Sequence, residues 1–182
     1  MEGKENILAN VCSFSDVRPI RMELPYPPVQ VKGKNRIYAN LLSMDHCGSV
    51  SEYSAIAQYI NHEKRLSLEN CSVAKTLLGI AMAEMIHLQI LGEMILLLGG
   101  TIDFSVNGRD GKPKRWTAEY LSMPEQAKKM ISANMVSENA AIRQYRMHMK
   151  MINDKNINAV LARIIKDEEY HILILQALMK EM

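Results

Sequence analysis

The sequence predicts an all-α protein: a four-helix bundle built as two helix hairpins, joined by a long crossover and preceded by an extended N-terminal arm. Three observations lead there. Apolar residues recur every three or four positions over four long stretches. Pro19, Pro25, Pro27 and Pro28 deny the first part of the chain a helical period. A glycine- and proline-containing segment too long for a tight turn separates the second helical stretch from the third. At 182 residues, 48% of them hydrophobic, the chain can bury a sizeable core as one domain. The organisation expected is an arm over residues 1–35 and a bundle over residues 36–182.

Helix A is expected from about Asn35 to Arg65, where Leu42, Asp45, Ser49, Glu52, Ile56, Tyr59 and Glu63 trace one face and Gly48 is a weak point. A polar turn from Ser67 to Asn70 leads into helix B. There Val73, Leu77, Ile80, Glu84, His87, Leu91, Met94 and Leu98 repeat the spacing until Gly99-Gly100 stops it. The crossover, residues 101 to about 122, holds Gly108, Asp110, Gly111, Pro113 and the single tryptophan, Trp116. Ser122-Met-Pro-Glu125 has the form of a capping box and opens helix C through Met130, Asn134, Glu138, Ile142, Tyr145 and Met149. After a turn at Asn153 to Asn156, helix D carries Ile157, Leu161, Ile164, Glu168, His171, Leu175 and Leu178. No β-rich segment competes with this reading.

Charge and cysteine usage narrow the function classes. Lys+Arg 22 against Asp+Glu 20 leaves a net charge of +2 with no basic block, so neither nucleic acid nor an anionic membrane surface is expected as a partner. Cys12, Cys47 and Cys71 are odd in number, far apart and form no Cys-x-x-Cys. No disulfide framework and no zinc or rubredoxin-type knuckle is expected, and a reducing compartment fits. Acidic residues near the N-terminus and the interruption of the apolar stretch Leu77 to Gly100 by Glu84, His87 and Glu93 argue against an export signal or a membrane span. A cytoplasmic location is the expectation.

The chain is internally doubled. Ser51 to His62 (SEYSAIAQYINH) and Ser137 to His148 (SENAAIRQYRMH) agree at seven of twelve positions, and Ile80 to Leu91 aligns with Ile164 to Leu175, matching Glu84 to Glu168 and His87 to His171. Each half therefore supplies one Glu on its first helix and Glu-x-x-His on its second. Three residues along a helix leave two side chains on one face, able to converge on one ion. Fourteen Glu and 5 His give a chance expectation of about 0.4 for a single Glu-x-x-His, so two copies at matching places are a signal. Glu52, Glu84, His87, Glu138, Glu168 and His171 fall on the stripe expected to be buried, where no Lys or Arg accompanies them. Carboxylates there require neutralisation. Two divalent cations balance four carboxylates, and oxygen with imidazole nitrogen suits iron or manganese.

With these motifs the chain resembles the ferritin-like diiron carboxylate superfamily over about residues 36 to 180. Asp167-Glu168-Glu169-Tyr170-His171-Ile172 is similar to bacterioferritin, and Glu84-Met-Ile-His87 to bacterioferritin and rubrerythrin. The resemblance implies Glu52, His87 and Glu84 at one metal, Glu138, His171 and Glu168 at the other, with Glu84 and Glu168 bridging. It also implies Asp167 as a hydrogen-bond acceptor that orients His87. Met135 stands where rubrerythrins carry a further ligand Glu, and no rubredoxin-like Cys-x-x-Cys exists. The arm Tyr26-Pro-Pro-Val-Gln-Val resembles manganese catalases in organisation. Met85 follows Glu84 as the haem-ligating methionine does in bacterioferritin, but a chain with Met 14 places methionines throughout, which argues against haem. Tyr59 and Tyr145, seven residues beyond Glu52 and Glu138, are in position to bond ligands or to pack in the core. Gln58, Gln144, His62 and His148 repeat without an assigned role, and Trp116, Cys47 and Cys71 read as packing residues.

The function implied is a non-haem dimetal oxidoreductase, diiron first, reacting with dioxygen or hydrogen peroxide as a ferroxidase or peroxidase and drawing on an external electron donor. The alternatives are a manganese-catalase-like disproportionation of peroxide with two manganese ions, or an iron-storage or coat assembly. A homo-oligomer, dimer or larger, is expected.

Overall fold

The computed structural model describes residues 12–107 and 112–182. Its α-helices are α1 (Arg36–Cys47), α2 (Glu52–Leu66), α3 (Cys71–Leu97), α4 (Ala127–Met151) and α5 (Lys155–Glu181). The segments α1 and α2 share the place of helix A, while α3, α4 and α5 are helices B, C and D. Packing is densest between α2 and α3 and between α4 and α5, which are the two hairpins. The all-α bundle stands.

Helix A is broken where glycine weakens it. Gly48 is extended, at φ −78° and ψ −168°, and its N–H closes α1 on the Met44 carbonyl at 2.9 Å. A Cβ at Gly48 would lie 2.5 Å from that same oxygen. Ser51 restarts the helix by accepting from the Ser54 N–H at 3.2 Å. Glu52 thereby becomes the first residue of α2, where the helix dipole favours a carboxylate. By contrast α3 runs unbroken from Asn70, whose side chain caps Val73, to the predicted stop, with Gly99 left-handed at φ +79°.

The crossover is not free of β structure. Ser105–Asn107 (β1) and Pro113–Arg115 (β2) form an antiparallel pair in the register Ser105 to Arg115, and a 3-10 turn, Ala118–Tyr120, follows. Gly108, Asp110 and Gly111 lie outside the described residues. The strands are anchored by aromatic packing of Tyr53 on Phe104 and Trp116, ring centroids 5.0 Å apart in each case. Trp116 also donates from Nε1 to Ser54 Oγ at 2.9 Å. The Ser122–Glu125 capping box is not used. Helix α4 starts at Ala127 with no side-chain cap, because Ser122 is engaged by α2: its N–H donates to Gln58 Oε1 at 2.8 Å and its carbonyl accepts from His62 Nε2 at 2.9 Å.

Residues 12–35 contain no regular element and track the side of the bundle formed by α3 and α5. The cysteine expectation fails here: Cys12 and Cys71 form a disulfide across 59 residues, while Cys47 is free and buried. Spacing in sequence could not reveal the pair, because the arm folds back onto the start of α3. The cysteine count therefore supplies no argument for a reducing compartment. Beyond the disulfide, the Ile20 N–H donates to the Gly79 carbonyl at 2.8 Å and the Asn35 N–H to the Leu98 carbonyl at 2.9 Å.

Two apolar clusters fill the bundle, one around Leu42, Leu91, Met94, Ile142, Val160 and Ile164, the other around Tyr59, Leu77, Ile80, Ile131, Leu175 and Leu178. Between them α3 and α5 each place a Glu and a His in a buried polar layer. Helix α3 has the length and hydropathy, 1.6 on average, to cross a membrane, yet half of that stretch is buried within the bundle and it carries Glu84 and His87. These are the features of a central bundle helix.

Candidate metal centre

The six side chains singled out by the internal repeat converge. Glu52 comes from the first turn of α2, Glu138 from the middle of α4, Glu84 and His87 from α3, and Glu168 and His171 from α5. All six are buried, at 0–3% exposure. Each histidine directs Nδ1 inward. His87 Nδ1 lies 2.8 Å from Glu84 Oε2, 3.3 Å from Glu168 Oε1 and 3.7 Å from Glu52 Oε2. His171 Nδ1 lies 3.0 Å from Glu168 Oε2, 3.1 Å from Glu84 Oε1 and 3.7 Å from Glu138 Oε1. Glu84 and Glu168 thus each give one oxygen to either side. Two overlapping four-residue sets result, Glu52, Glu84, His87, Glu168 and Glu84, Glu138, Glu168, His171, each with donor atoms within 4.8 Å of one another.

A physical test shows that cations fit this set. Glu84 Oε1, both oxygens of Glu168 and His171 Nδ1 are buried with no hydrogen-bond partner. Orphaned polar atoms at the centre of a core are costly unless something binds them, and hard carboxylate oxygens with two imidazoles are the donor set of a dimetal carboxylate site.

Electrostatics carry the same message. Burial, then the charges of Glu84 and Glu168, push Glu52 and Glu138 well above the ordinary carboxylate range. Burial opposes ionisation of Glu84 too, but the facing His171 and His87 hold it below that range. Burial would lower both imidazoles; the surrounding carboxylates, Glu168 foremost at His87 and Glu84 at His171, raise them well above the ordinary value instead. Without cations, protons do the neutralising.

Around this core the tyrosines cross over. Tyr59 of α2 donates to Glu138 Oε1 on α4, and Tyr145 of α4 donates to Glu52 Oε1 on α2. Each therefore bonds the carboxylate of the other half. Burial first and the adjoining carboxylates next keep both phenols protonated. The repeated Gln and His residues also have tasks. Gln58 Nε2 donates to Asn134 Oδ1 at 3.0 Å, and His62 Nδ1 lies 2.9 Å from the same oxygen. Gln144 Nε2 donates to Asp45 Oδ1 at 2.8 Å, and His148 Nδ1 lies 2.8 Å from Asp45 Oδ2. These bonds tie α2 to α4 and α4 to α1.

Asp167 is fully buried and lies 3.1 Å from His87 Nε2. It also accepts from the Tyr26 hydroxyl at 2.6 Å and from the Met22 N–H at 2.7 Å, and pairs with Arg163 Nη1 at 2.7 Å. Against the effect of burial, these partners hold its carboxyl below the ordinary range. One basic residue, Arg163, is buried nearby. Arg163 faces Asp167 and the Met22 and Leu24 carbonyls of the arm, not the six converging residues. Its place four residues before Asp167 was a readable i,i+4 pair. Tyr26 and the Ile20 carbonyl, 2.8 Å from His171 Nε2, carried no signal, since an arm without periodicity has no readable register. Met135 packs against the apolar cluster around Tyr59.

Comparisons with known proteins agree with this geometry. The family model for rubrerythrin matches residues 48–179. A probable manganese catalase of Clostridium acetobutylicum is 27% identical over 162 residues, covering 79% of this chain and 70% of its own. A manganese catalase from Anabaena PCC7120 superposes with a TM-score of 0.78 at 22% identity, over 88% of this chain and 78% of that one. A bacterioferritin from Rhodobacter capsulatus superposes at 0.68 and 20% identity, over 81% and 86%. The solved structures establish the ferritin-like fold. Since the family model spans most of the chain, including all six converging residues, the protein belongs to the rubrerythrin family.

Proposed function

We propose that this protein is a dimetal oxidoreductase that consumes hydrogen peroxide, holding two manganese ions between Glu52, Glu84, His87, Glu138, Glu168 and His171. The observation that carries the reading is the pairing at Glu84 and Glu168, whose two oxygens face opposite histidines, as two adjacent ions require. The similarity to a protein named as a probable manganese catalase supports manganese. In this role Glu52 and His87 would hold one ion, Glu138 and His171 the other, and Glu84 and Glu168 would bridge them. A pair of such ions supplies two-electron redox chemistry, enough to convert two hydrogen peroxide molecules into two waters and one dioxygen.

The chain's own residues complete the site. Tyr145 fixes Glu52 Oε1 and leaves Oε2 facing His87, whereas Tyr59 bonds Glu138 Oε1, the oxygen that itself faces His171. The two apolar clusters exclude bulk water from above and below. Between α2 and α4 lies a pocket of about 310 Å³, lined by Ser54, Gln58, Val136, Ser137 and Glu138 among others, and Glu138 is the residue it shares with the centre, which makes this the side from which a small substrate would approach. A second reading, a diiron peroxidase or ferroxidase with an external electron donor, is supported by the match to the rubrerythrin family model. One experiment separates them: metal content of protein isolated without chelators, then oxygen release from peroxide alone. Two manganese ions per chain with oxygen release support the catalase reading. Two irons with turnover only in the presence of a reductant replace it with the second, and no bound metal after anaerobic loading with either ion overturns both.

A further inference from the structure

The two halves of the centre share ligand chemistry but differ in what stands behind the imidazoles. His87 Nε2 faces the Asp167 carboxylate and the Tyr26 hydroxyl, each at 3.1 Å. His171 Nε2 instead meets a neutral backbone carbonyl, Ile20, at 2.8 Å. The alignment that pairs Glu84 with Glu168 pairs Ala83 with Asp167, so the first hairpin offers no carboxylate to place behind His171. Arg163 and the Met22 N–H, both 2.7 Å from Asp167 Oδ1, fix that carboxylate within a fully buried site.

An anionic acceptor behind a ligating imidazole raises its basicity and locks its orientation more strongly than a neutral carbonyl does. Resting on the dimetal reading above, we infer that the two metal positions are inequivalent: the position at Glu52 and His87 fills first and holds its ion more tightly, with Asp167 and Tyr26 as its positioning residues. The position at Glu138 and His171 is the weaker one. It is also the one on the side of the pocket between α2 and α4, since Glu138 lines that pocket. A firmly held ion beside a more exchangeable one on the pocket side gives the centre a direction.

The test is anaerobic calorimetric titration of the metal-free full chain with Mn(II), combined with anomalous diffraction from crystals prepared at one Mn(II) per chain. Two steps about 10-fold or more apart are expected, with the first ion at His87. In Asp167→Asn the tighter step weakens by about 10- to 100-fold while the weaker one stays within about 3-fold. Because Asp167 also holds the arm, Tyr26→Phe serves as the second variant. It removes one hydroxyl, keeps the ring that stacks against Arg163 at 4.5 Å, and is expected to weaken the same step by a few-fold. Two equal steps in the unaltered chain, the first ion at His171, or equal weakening of both steps in Tyr26→Phe would overturn the inference and leave the dimetal reading intact. Fewer than two bound Mn(II) in the unaltered chain would overturn the inference and the manganese reading, and fewer than two bound ions with Fe(II) as well would overturn the dimetal reading itself.

Discussion

The first hairpin and the second present the same buried Glu and His side chains with different support. Helices α3 and α5 are of equal length, 27 residues, and present Glu and His at matching positions. Elsewhere the halves diverge. Glu138 sits within the continuous α4, whereas Glu52 opens α2 after a break. Asp45 lies seven residues before Glu52 and Asn134 four before Glu138, yet the two do the same job, binding a Gln and a His of the opposite first helix. The break at Gly48 absorbs the three extra residues. Outside the centre, Gly79 and Ala83 on α3 correspond in the alignment to Arg163 and Asp167 on α5. Small residues let the arm lie close on one helix; a charged pair grips it on the other. The lesson is that the two halves keep the six converging side chains in common, while the surrounding layer is free to specialise.

The largest expected effect tests the symmetric part. Glu84→Ala and Glu168→Ala each remove a carboxylate that faces both histidines, so each should reduce bound metal from two ions to fewer than one per chain and lower peroxide turnover on the order of 1,000-fold. Elemental analysis of both variants checks this. If one retains a full complement, the bridges are not equivalent and the pseudo-twofold does not extend to them.

Proton competition comes next and should act on both halves alike. Raised Glu52, Glu138, His87 and His171 mean that the metal-free folded chain binds more protons than the unfolded chain does. Their contribution to the metal-free fold is fully present below the ordinary values of these groups and is lost as pH rises through the raised ones. Glu84 has the opposite sign, its contribution being lost only as pH falls through its lowered value. Metal ions must displace the protons on the raised groups, so affinity should increase with pH by about 10-fold per unit for each proton released. Calorimetry in two buffers of different ionisation enthalpy measures that release. Metal affinity independent of pH would mean that the four groups are not protonated without metal.

Arg163 probes the asymmetric part. Its replacement by Ala leaves the Asp167 charge buried without its cation and deprives the Met22 and Leu24 carbonyls of their donors. Breaking a buried pair from one side costs about 3–5 kcal/mol, which urea denaturation of the metal-free chain would register. A loss under about 1 kcal/mol would show the pair to be solvent-screened, and the grip of α5 on the arm would then be weak.

The convergence of the six candidate ligands was legible in the sequence because it obeys helical arithmetic twice over: Glu84 and His87, like Glu168 and His171, fall three apart on strongly periodic helices. The stop at Gly99 was legible for a local reason, its left-handed turn. What escaped was set by tertiary contact. The Ser122 capping signal was overridden because Gln58 and His62 claim that residue's backbone. The disulfide and the parts played by Ile20 and Tyr26 depend on where an aperiodic arm lies, and no spacing rule encodes that. Tyr59 and Tyr145 were read on the correct face, as residues able to bond ligands or to pack in the core, without a partner being assigned. Their crossing to the opposite half depends on how α2 and α4 face each other.

The smallest expected effect falls on Gly79, the counterpart of Arg163. A Cβ there would meet Ile20 Cδ1 and Cγ1 at 2.8 Å and the Arg18 carbonyl oxygen at 3.0 Å. The isoleucine tip can turn aside, but the backbone carbonyl yields only if the arm moves. Alanine in a helix interior gains up to about 1 kcal/mol over glycine, so Gly79→Ala sets a helix gain against a displaced arm, and overall stability should change by less than about 1 kcal/mol. The local consequence is larger. Displacing the arm weakens the Ile20 N–H bond to the residue 79 carbonyl and, with it, the Ile20 carbonyl that faces His171. Hydrogen exchange at the Ile20 amide should accelerate while the core amides of α3 remain protected. If Ile20 exchange is unchanged and the melting temperature simply rises, the arm does not press on α3, and close approach is not the reason glycine stands where the second hairpin carries arginine.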